Sequence, residues 1–222
     1  YVADIGYTYG YYTELNPLRV RLAFLQQGLV CPEVGAACEL GFGQGLSANL
    51  HAAGSLTTWH GTDFNPAQAG FAQELAHVAG TGAQLVDEAF ADFCARPDLP
   101  EFDYIGLHGI WSWISDENRA VIVDFIRRNR DVGGVLYISN KPKEQNRHYL
   151  AHEYFNRDWH PMHFATMADW LSPAKVQYAC SANYLDHIEI LNLTADQQTF
   201  LREIPDPMFR ESVRDFMTNQ QF

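Results

Sequence analysis

The stretch CELGFGQGLSANL, residues 38–50, decides how the rest of this chain is read. Gly41, Gly43 and Gly45 stand at alternate positions between a short apolar run and an amphipathic one that continues through Ala53. Glycine at such a turn permits positive φ and close approach of backbone to a ligand, and the helix that follows offers free N–H donors. A dinucleotide fingerprint needs the spacing G-x-G-x-x-G, so that a pyrophosphate can sit on that helix. Here the position of the last glycine is Leu46, and Glu39 stands just ahead of the turn. A carboxylate there suits an ammonium group and repels a phosphate, which argues against NAD. A tight strand–helix turn without any ligand is the plain alternative.

Outward from this turn the chain alternates strands and helices. Residues 56–64 (LTTWHGTDF) are β-rich and end at an acid, and Asn65-Pro66 opens a helix over 67–79 that stops at Gly80. Further strands are expected over 83–88, within 102–113 and over 133–139, with a helix over 117–129 capped by Ser115 and Asp116. Such alternation implies an α/β fold of the Rossmann-like kind, a mostly parallel twisted sheet with helices on both faces. Ligands of such sheets bind beyond the carboxyl ends of the strands, where the strand order reverses. Past Asn140 a helix is expected over 147–159 and another over 164–174, then a sixth strand over 175–182. Two helices finish the chain, one capped by Thr194 and one by Asp206 with Pro207 at its first position.

The acids at the strand ends narrow the ligand. Asp63 lies 22 residues beyond Gly41 and ends the second strand, where a carboxylate can accept hydrogen bonds from two ribose hydroxyls. Asp87, Glu88 and Ala89 end the third strand, so an acid there can take an adenine amino group while Ala89 and Phe90 flank the ring. A ligand with an amine, a ribose and an adenine but no phosphate is S-adenosylmethionine.

ELGFGQG, GTDFNP, DEAFADF and FDYIGLHGIWSW resemble, in order and spacing, the class I S-adenosylmethionine-dependent methyltransferases over residues 36–139. More narrowly, LHGIWSWIS and HEYFNRDWHPMHF resemble bacterial predicted methyltransferases that carry a methyltransferase regulatory domain. The resemblance implies a class I methyltransferase fold with C-terminal helices, and S-adenosylmethionine as methyl donor with S-adenosylhomocysteine as product. It implies that Glu39, Gly41, Gly43 and Gly45 line the methionine end, with Phe42 in the same turn. Asp63 would take the ribose, Phe64, Asn65, Glu88, Ala89 and Phe90 would surround the adenine, and His108, Gly109 and Ile110 would close the far wall. After Ser139 the sequence departs from that group, which has a longer connection with a Pro-Gly pair. The expected organisation is a methyltransferase domain over 1–190, with an aromatic lid over about 1–30 and an insert over about 140–163. A helical extension, the start of a further domain, follows over 191–222.

His108 at the edge of the fourth strand is the candidate general base, with a satisfied core histidine as the alternative. The HGIW that begins with it lacks the N-P-P-Y of enzymes that methylate DNA adenine. His148 and His152 stand one helical turn apart near His160 and His163, a spacing that fits substrate-lid polar residues better than a metal, and no metal is expected. The aromatic run YTYGYY, residues 7–12, is either a docking segment or a lid over the cofactor.

Composition bounds the rest. Fifteen Lys and Arg against 27 Asp and Glu give a formal net charge of −12, which repels nucleic acid. No apolar run approaches the ~20 residues of a membrane span. Four cysteines without metal-like or paired spacing fit a reduced, cytoplasmic setting. The expected acceptor is a small molecule, with a protein acceptor as the alternative. A protein that binds the cofactor without turnover is the competing function.

Overall fold

The computed structural model describes residues 9–139 and 158–218. Five strands form one sheet: β1 Ala36–Leu40, β2 Thr58–Thr62, β3 Gln84–Val86, β4 Phe102–His108 and β5 Arg130–Ser139. Their order is β3-β2-β1-β4-β5 and every pairing is parallel. The order therefore reverses between β1 and β4, and the glycine turn leaves the sheet at that point. The α/β architecture expected from the alternation is what the chain forms.

The helices follow their local signals closely. α1 (Pro17–Gln26) begins on an Asn16 side chain that accepts from the Leu18 N–H. α2 (Leu46–Ala53) starts from Gly45, and α3 (Pro66–Ala79) runs from the Asn65 cap to Gly80 in the left-handed region. α4 (Phe90–Cys94) is a short helix that the strand–helix alternation did not announce, because five residues carry too little periodicity. α5 (Asp116–Asn129) is capped by the Ser115 side chain, as its sequence predicts. α6 (Phe164–Leu171) passes into a tight turn over Ser172–Ala174, and α7 (Glu189–Asn192) is a single turn. α8 (Ala195–Arg202) carries a full capping box from Thr194 and Gln197, and α9 (Pro207–Thr218) begins at Pro207. The helix expected over 147–159 falls almost wholly outside the described residues.

Residues 175–182 are not a sixth strand. Lys175 turns the chain with a φ of 54°, and each of the eight residues is at least partly exposed. Tyr178 packs edge-on against Phe164 with ring centroids 4.6 Å apart, and its hydroxyl donates to Glu211. Val176 packs against the core beneath α5 and α6, and Ala182 against the core on the other side of the sheet.

Side chains alternate across β1, so each side of the sheet has its own core. Cys38 and Leu40 join Phe93, Phe102, Ile122, Phe125, Ile126 and Trp111 beneath α4, α5 and α6. Ala37 faces the other way and joins Phe42, Ala48, Trp59, Ala72 and Tyr104 beneath α2 and α3, together with Leu15 from the N-terminal segment. A smaller cluster of Leu193, Leu201 and Ile204 holds the C-terminal helices together.

Candidate functional site

All three glycines of the turn adopt the left-handed region, with φ of 76° at Gly41, 59° at Gly43 and 65° at Gly45. The missing side chains are already in use at two of them. A Cβ on Gly41 would lie 2.8 Å from Ile110 Cγ2, and one on Gly45 would lie 2.4 Å from the Ala72 Cβ. Gly41 thus lets the turn after β4 close onto the loop, and Gly45 lets α2 pack against α3. Phe42 points into the core and is 5% exposed, so only its backbone lies with the loop.

Glu39, two residues before Gly41, sits in register with Gly61 of β2 and Gly106 of β4. Its side chain is 2% exposed, and its Oε2 has no hydrogen-bond partner. Burial pushes its carboxyl up to about 8, and the nearby Asp63 adds to the rise.

Asp63 ends β2 and ties the site together. Its Oδ2 accepts from the Gly43 N–H at 2.9 Å and its Oδ1 from the Asn65 N–H at 3.0 Å. Burial pushes this carboxyl up to about 6, while those two backbone bonds pull the other way. Each carboxylate oxygen can accept a second bond, so two ribose hydroxyls remain within its capacity. Asn65 spends its side chain capping α3, accepting from the Ala67 N–H at 3.1 Å, and Phe64 beside it is exposed.

At the carboxyl end of β3, Glu88 pairs with Arg96 at 3.3 Å through Oε1, while its Oε2 is buried without a partner. Its backbone carbonyl accepts from the Thr62 hydroxyl, which holds the β3 end against β2. Ala89 and Phe90 follow as the cap and first residue of α4.

His108 closes β4 opposite Ser139 of β5. Its Nδ1 lies 2.7 Å from the Ser139 Oγ, and the Gly109 N–H donates to the Ser139 carbonyl at 2.7 Å. His108 therefore belongs to the carboxyl edge of the sheet and not to its core. The structure adds partners with no local sequence signal. The Tyr12 ring lies over the His108 ring with centroids 4.4 Å apart, and the Tyr12 N–H donates to the Ser47 Oγ at 2.7 Å. Tyr9 packs on Phe71 and Tyr11 on His51, so the described part of the aromatic run is docked across α2, α3 and the end of β4. His148 and His152 lie outside the described residues, and the His160 N–H donates to the Ser112 carbonyl.

These residues fit S-adenosylmethionine on two observations. The partnerless, buried carboxyl oxygens of Glu39 and Glu88 lie at the β1 and β3 ends, where an ammonium and an adenine amino group would be held. Asp63 stands between them at the end of β2, with the Gly43 N–H fixed beside it.

Comparison with known proteins agrees with this architecture. Residues 146–222 match the family described as the predicted methyltransferase regulatory domain. A Synechocystis protein described only as uncharacterized protein sll1526 is 36% identical over an alignment that covers all of this chain and 56% of that protein. PKMT2 from Rickettsia typhi in complex with AdoHcy superposes with a TM-score of 0.83 at 17% identity, covering 97% of this chain and 53% of that one. A putative O-methyltransferase from Nostoc punctiforme gives a TM-score of 0.51 at 14% identity, over 74% of this chain and 51% of that one. The chain thus spans about half the length of these relatives. It has the class I S-adenosylmethionine-dependent methyltransferase fold, and its residues 146–222 match the predicted methyltransferase regulatory domain family.

Proposed function

We propose that this chain binds S-adenosylmethionine at the carboxyl edge of β1, β2 and β3 and transfers its methyl group to a small-molecule acceptor. The observation that carries this is the buried Glu39 carboxyl, without a partner on Oε2, beside a backbone turn that Asp63 holds in place. When bound, the cofactor supplies a methyl group already attached to a good leaving group. What remains for the protein is alignment and exclusion of water. Glu39 would hold the ammonium, Asp63 the ribose, and Glu88 with Ala89 and Phe90 the adenine. His108, whose Nδ1 lies against the Ser139 hydroxyl, would take a proton from a hydroxyl or ammonium acceptor.

The net charge of −12 supports an acceptor other than nucleic acid. Among the described residues no helix is long and apolar enough to cross a membrane. The four cysteines, free and without paired or metal-like spacing, support a cytoplasmic setting. Three of the aromatic residues of the N-terminal run lie against the site's framing helices and the β4 end, which suits a small acceptor better than a protein chain.

S-adenosylhomocysteine should raise the melting temperature, because a ligand that binds only the native state stabilises it by mass action. NAD and ATP should leave it unchanged. A shift with NAD and none with S-adenosylhomocysteine would overturn the assignment. Tight binding without any methyl transfer across a broad panel of small and protein acceptors would leave the chain a regulatory binding protein.

A further inference from the structure

The acid at the end of β3 is held from behind. Glu88 precedes α4 and Arg96 follows it, so the arginine reaches back past the whole short helix to meet the carboxylate. Its Nη1 donates to the Glu88 Oε1 at 3.3 Å. The guanidinium is itself fixed by Asp98, which accepts from Nη2 at 2.7 Å and from Nε at 3.1 Å, one carboxylate oxygen to each. Such a fork leaves the guanidinium little freedom to turn. The backbone here is tied as well. The Glu88 carbonyl accepts from the Thr62 hydroxyl, and the Asp63 N–H donates to the Val86 carbonyl at 3.1 Å. Both bonds join the β2 end to the β3 end, so Asp63 and Glu88 share one frame. The Arg96 and Glu88 side chains are 31% and 33% exposed, which makes their pair a small contributor to stability. Its effect on the carboxylate is larger, because the two oxygens are made unlike. Oε1 is taken by Arg96, while Oε2 is buried with no donor to accept from.

We propose that Arg96 is a positioning residue for base selection. By holding the Glu88 Oε1 it keeps Oε2 for the 6-position of the purine, so that the site takes adenine and rejects a purine with an oxygen there. This rests on the cofactor and on the role of Glu88 proposed above. A carboxylate paired with a guanidinium accepts hydrogen bonds and donates none. The 6-amino group of adenine is a donor and satisfies it. A 6-keto group offers only lone pairs, and setting it against Oε2 leaves two acceptors facing each other, both unpaired. Discrimination of this kind needs the acid to stay in place. Without Arg96 the Glu88 side chain is free to rotate away from the base, which removes the partner of the amino group and admits the keto purine. Asp98 acts one step further back, as the acid that keeps Arg96 turned toward Glu88.

The test is the ratio of the dissociation constants for S-adenosylhomocysteine and S-inosylhomocysteine, its 6-keto counterpart, measured by calorimetry on the same protein. The wild-type protein should prefer the adenine ligand. Arg96→Met keeps much of the side chain and removes its charge, and it should shrink that preference about two- to fivefold, the upper part of the span for a partly exposed ion pair. Arg96→Lys restores a cation opposite the Glu88 Oε1 and should recover part of the preference. Asp98→Asn leaves Arg96 and Glu88 in place and should move the ratio in the same direction as Arg96→Met, by less. Urea midpoints confirm that the variants are folded. If Arg96 only braces α4, its removal weakens both ligands alike. An unchanged ratio in folded Arg96→Met, with or without that common weakening, would overturn the proposal. So would a wild-type protein that binds both ligands equally well. A wild-type protein that binds neither would instead overturn the assigned cofactor, a result visible before any variant is made.

Discussion

The two sides of β1 show what separates a core from a site. Cys38 and Leu40 point into a layer of Phe93, Phe102, Phe125, Ile122 and Ile126, where the buried cation Arg119 is held by the Trp111 carbonyl and the Asp116 carboxylate. Glu39, between them in sequence, points the other way. On that side the Glu39 Oε2 and both ring nitrogens of His51 are buried without partners, and burial drops the His51 imidazole to about 4. Buried polar groups without hydrogen bonds are destabilising, so a fold retains them where something else is gained. Both sides keep buried polar atoms without partners, the Trp111 Nε1 and Arg119 Nη2 on the packed side among them. What distinguishes the carboxyl end of β1 is that its orphaned atom belongs to an acid, Glu39.

Truncating the packed side should give the largest effect. Leu40→Ala removes a fully buried side chain and should cost about 2–5 kcal/mol of stability, read as a lower urea midpoint. The fraction that stays folded should bind S-adenosylhomocysteine with unchanged affinity. A large loss of affinity in that folded fraction would mean that the two sides are not independent.

Glu39→Gln keeps volume and removes charge, so it should do the reverse. Affinity for S-adenosylhomocysteine should fall by roughly 1.5–3 kcal/mol, the range for hydrogen bonds to charged groups. The pH dependence sharpens this. The Glu39 carboxyl titrates at about 8 in the folded state against 4.5 ordinarily, so between those values the folded chain holds a proton that the unfolded chain has released. Stability in the ligand-free protein should therefore decline as pH rises through that window, and Glu39→Gln should flatten the decline. Asp63, pushed up to about 6, contributes in the same sense at lower pH. Binding an ammonium requires the ionised carboxylate, so it releases a proton, and affinity should rise between pH 6 and 7.5 by at most about tenfold per unit. Calorimetry in two buffers of different ionisation enthalpy reads that proton directly. Absence of proton release at pH 6.5 would remove Glu39 from the ammonium.

The same contrast explains what could be read from the chain. The strands and the glycine turn carry local signals: alternating glycines, an acid 22 residues on, caps at Asn65, Ser115 and Thr194. Those positions place the β1, β2 and β4 edges correctly. Residues 175–182 carry apolar residues at strand spacing, yet only tertiary packing decides that Tyr178 meets Phe164 and not a neighbouring strand. The roles of Gly41 and Gly45 are equally non-local, since Ile110 and Ala72 fill the space that a side chain would need. Tyr12 is the extreme case, for its anchor Ser47 lies 35 residues away and no pattern links them.

Gly43 offers the smallest and most discriminating effect. It is the middle glycine, φ 59°, and its N–H is fixed on Asp63. Gly43→Ala forces an alanine into the left-handed region, which should cost about 1–2 kcal/mol of stability whatever the loop does. If the turn serves the fold alone, the loss ends there, and affinity for S-adenosylhomocysteine stays at the wild-type value. If ligand lies on this backbone, the methyl group enters its space and affinity falls by more than stability does. The paired measurement is the urea midpoint and the dissociation constant on one preparation. Adding Asp63→Asn to the same background tests the tether, because it replaces a charged acceptor of the Gly43 N–H with a neutral one. Gly43→Ala with normal affinity would make the turn a piece of scaffold and leave the β1 edge without a ligand. A loss of affinity that exceeds the stability cost places the cofactor on Gly43.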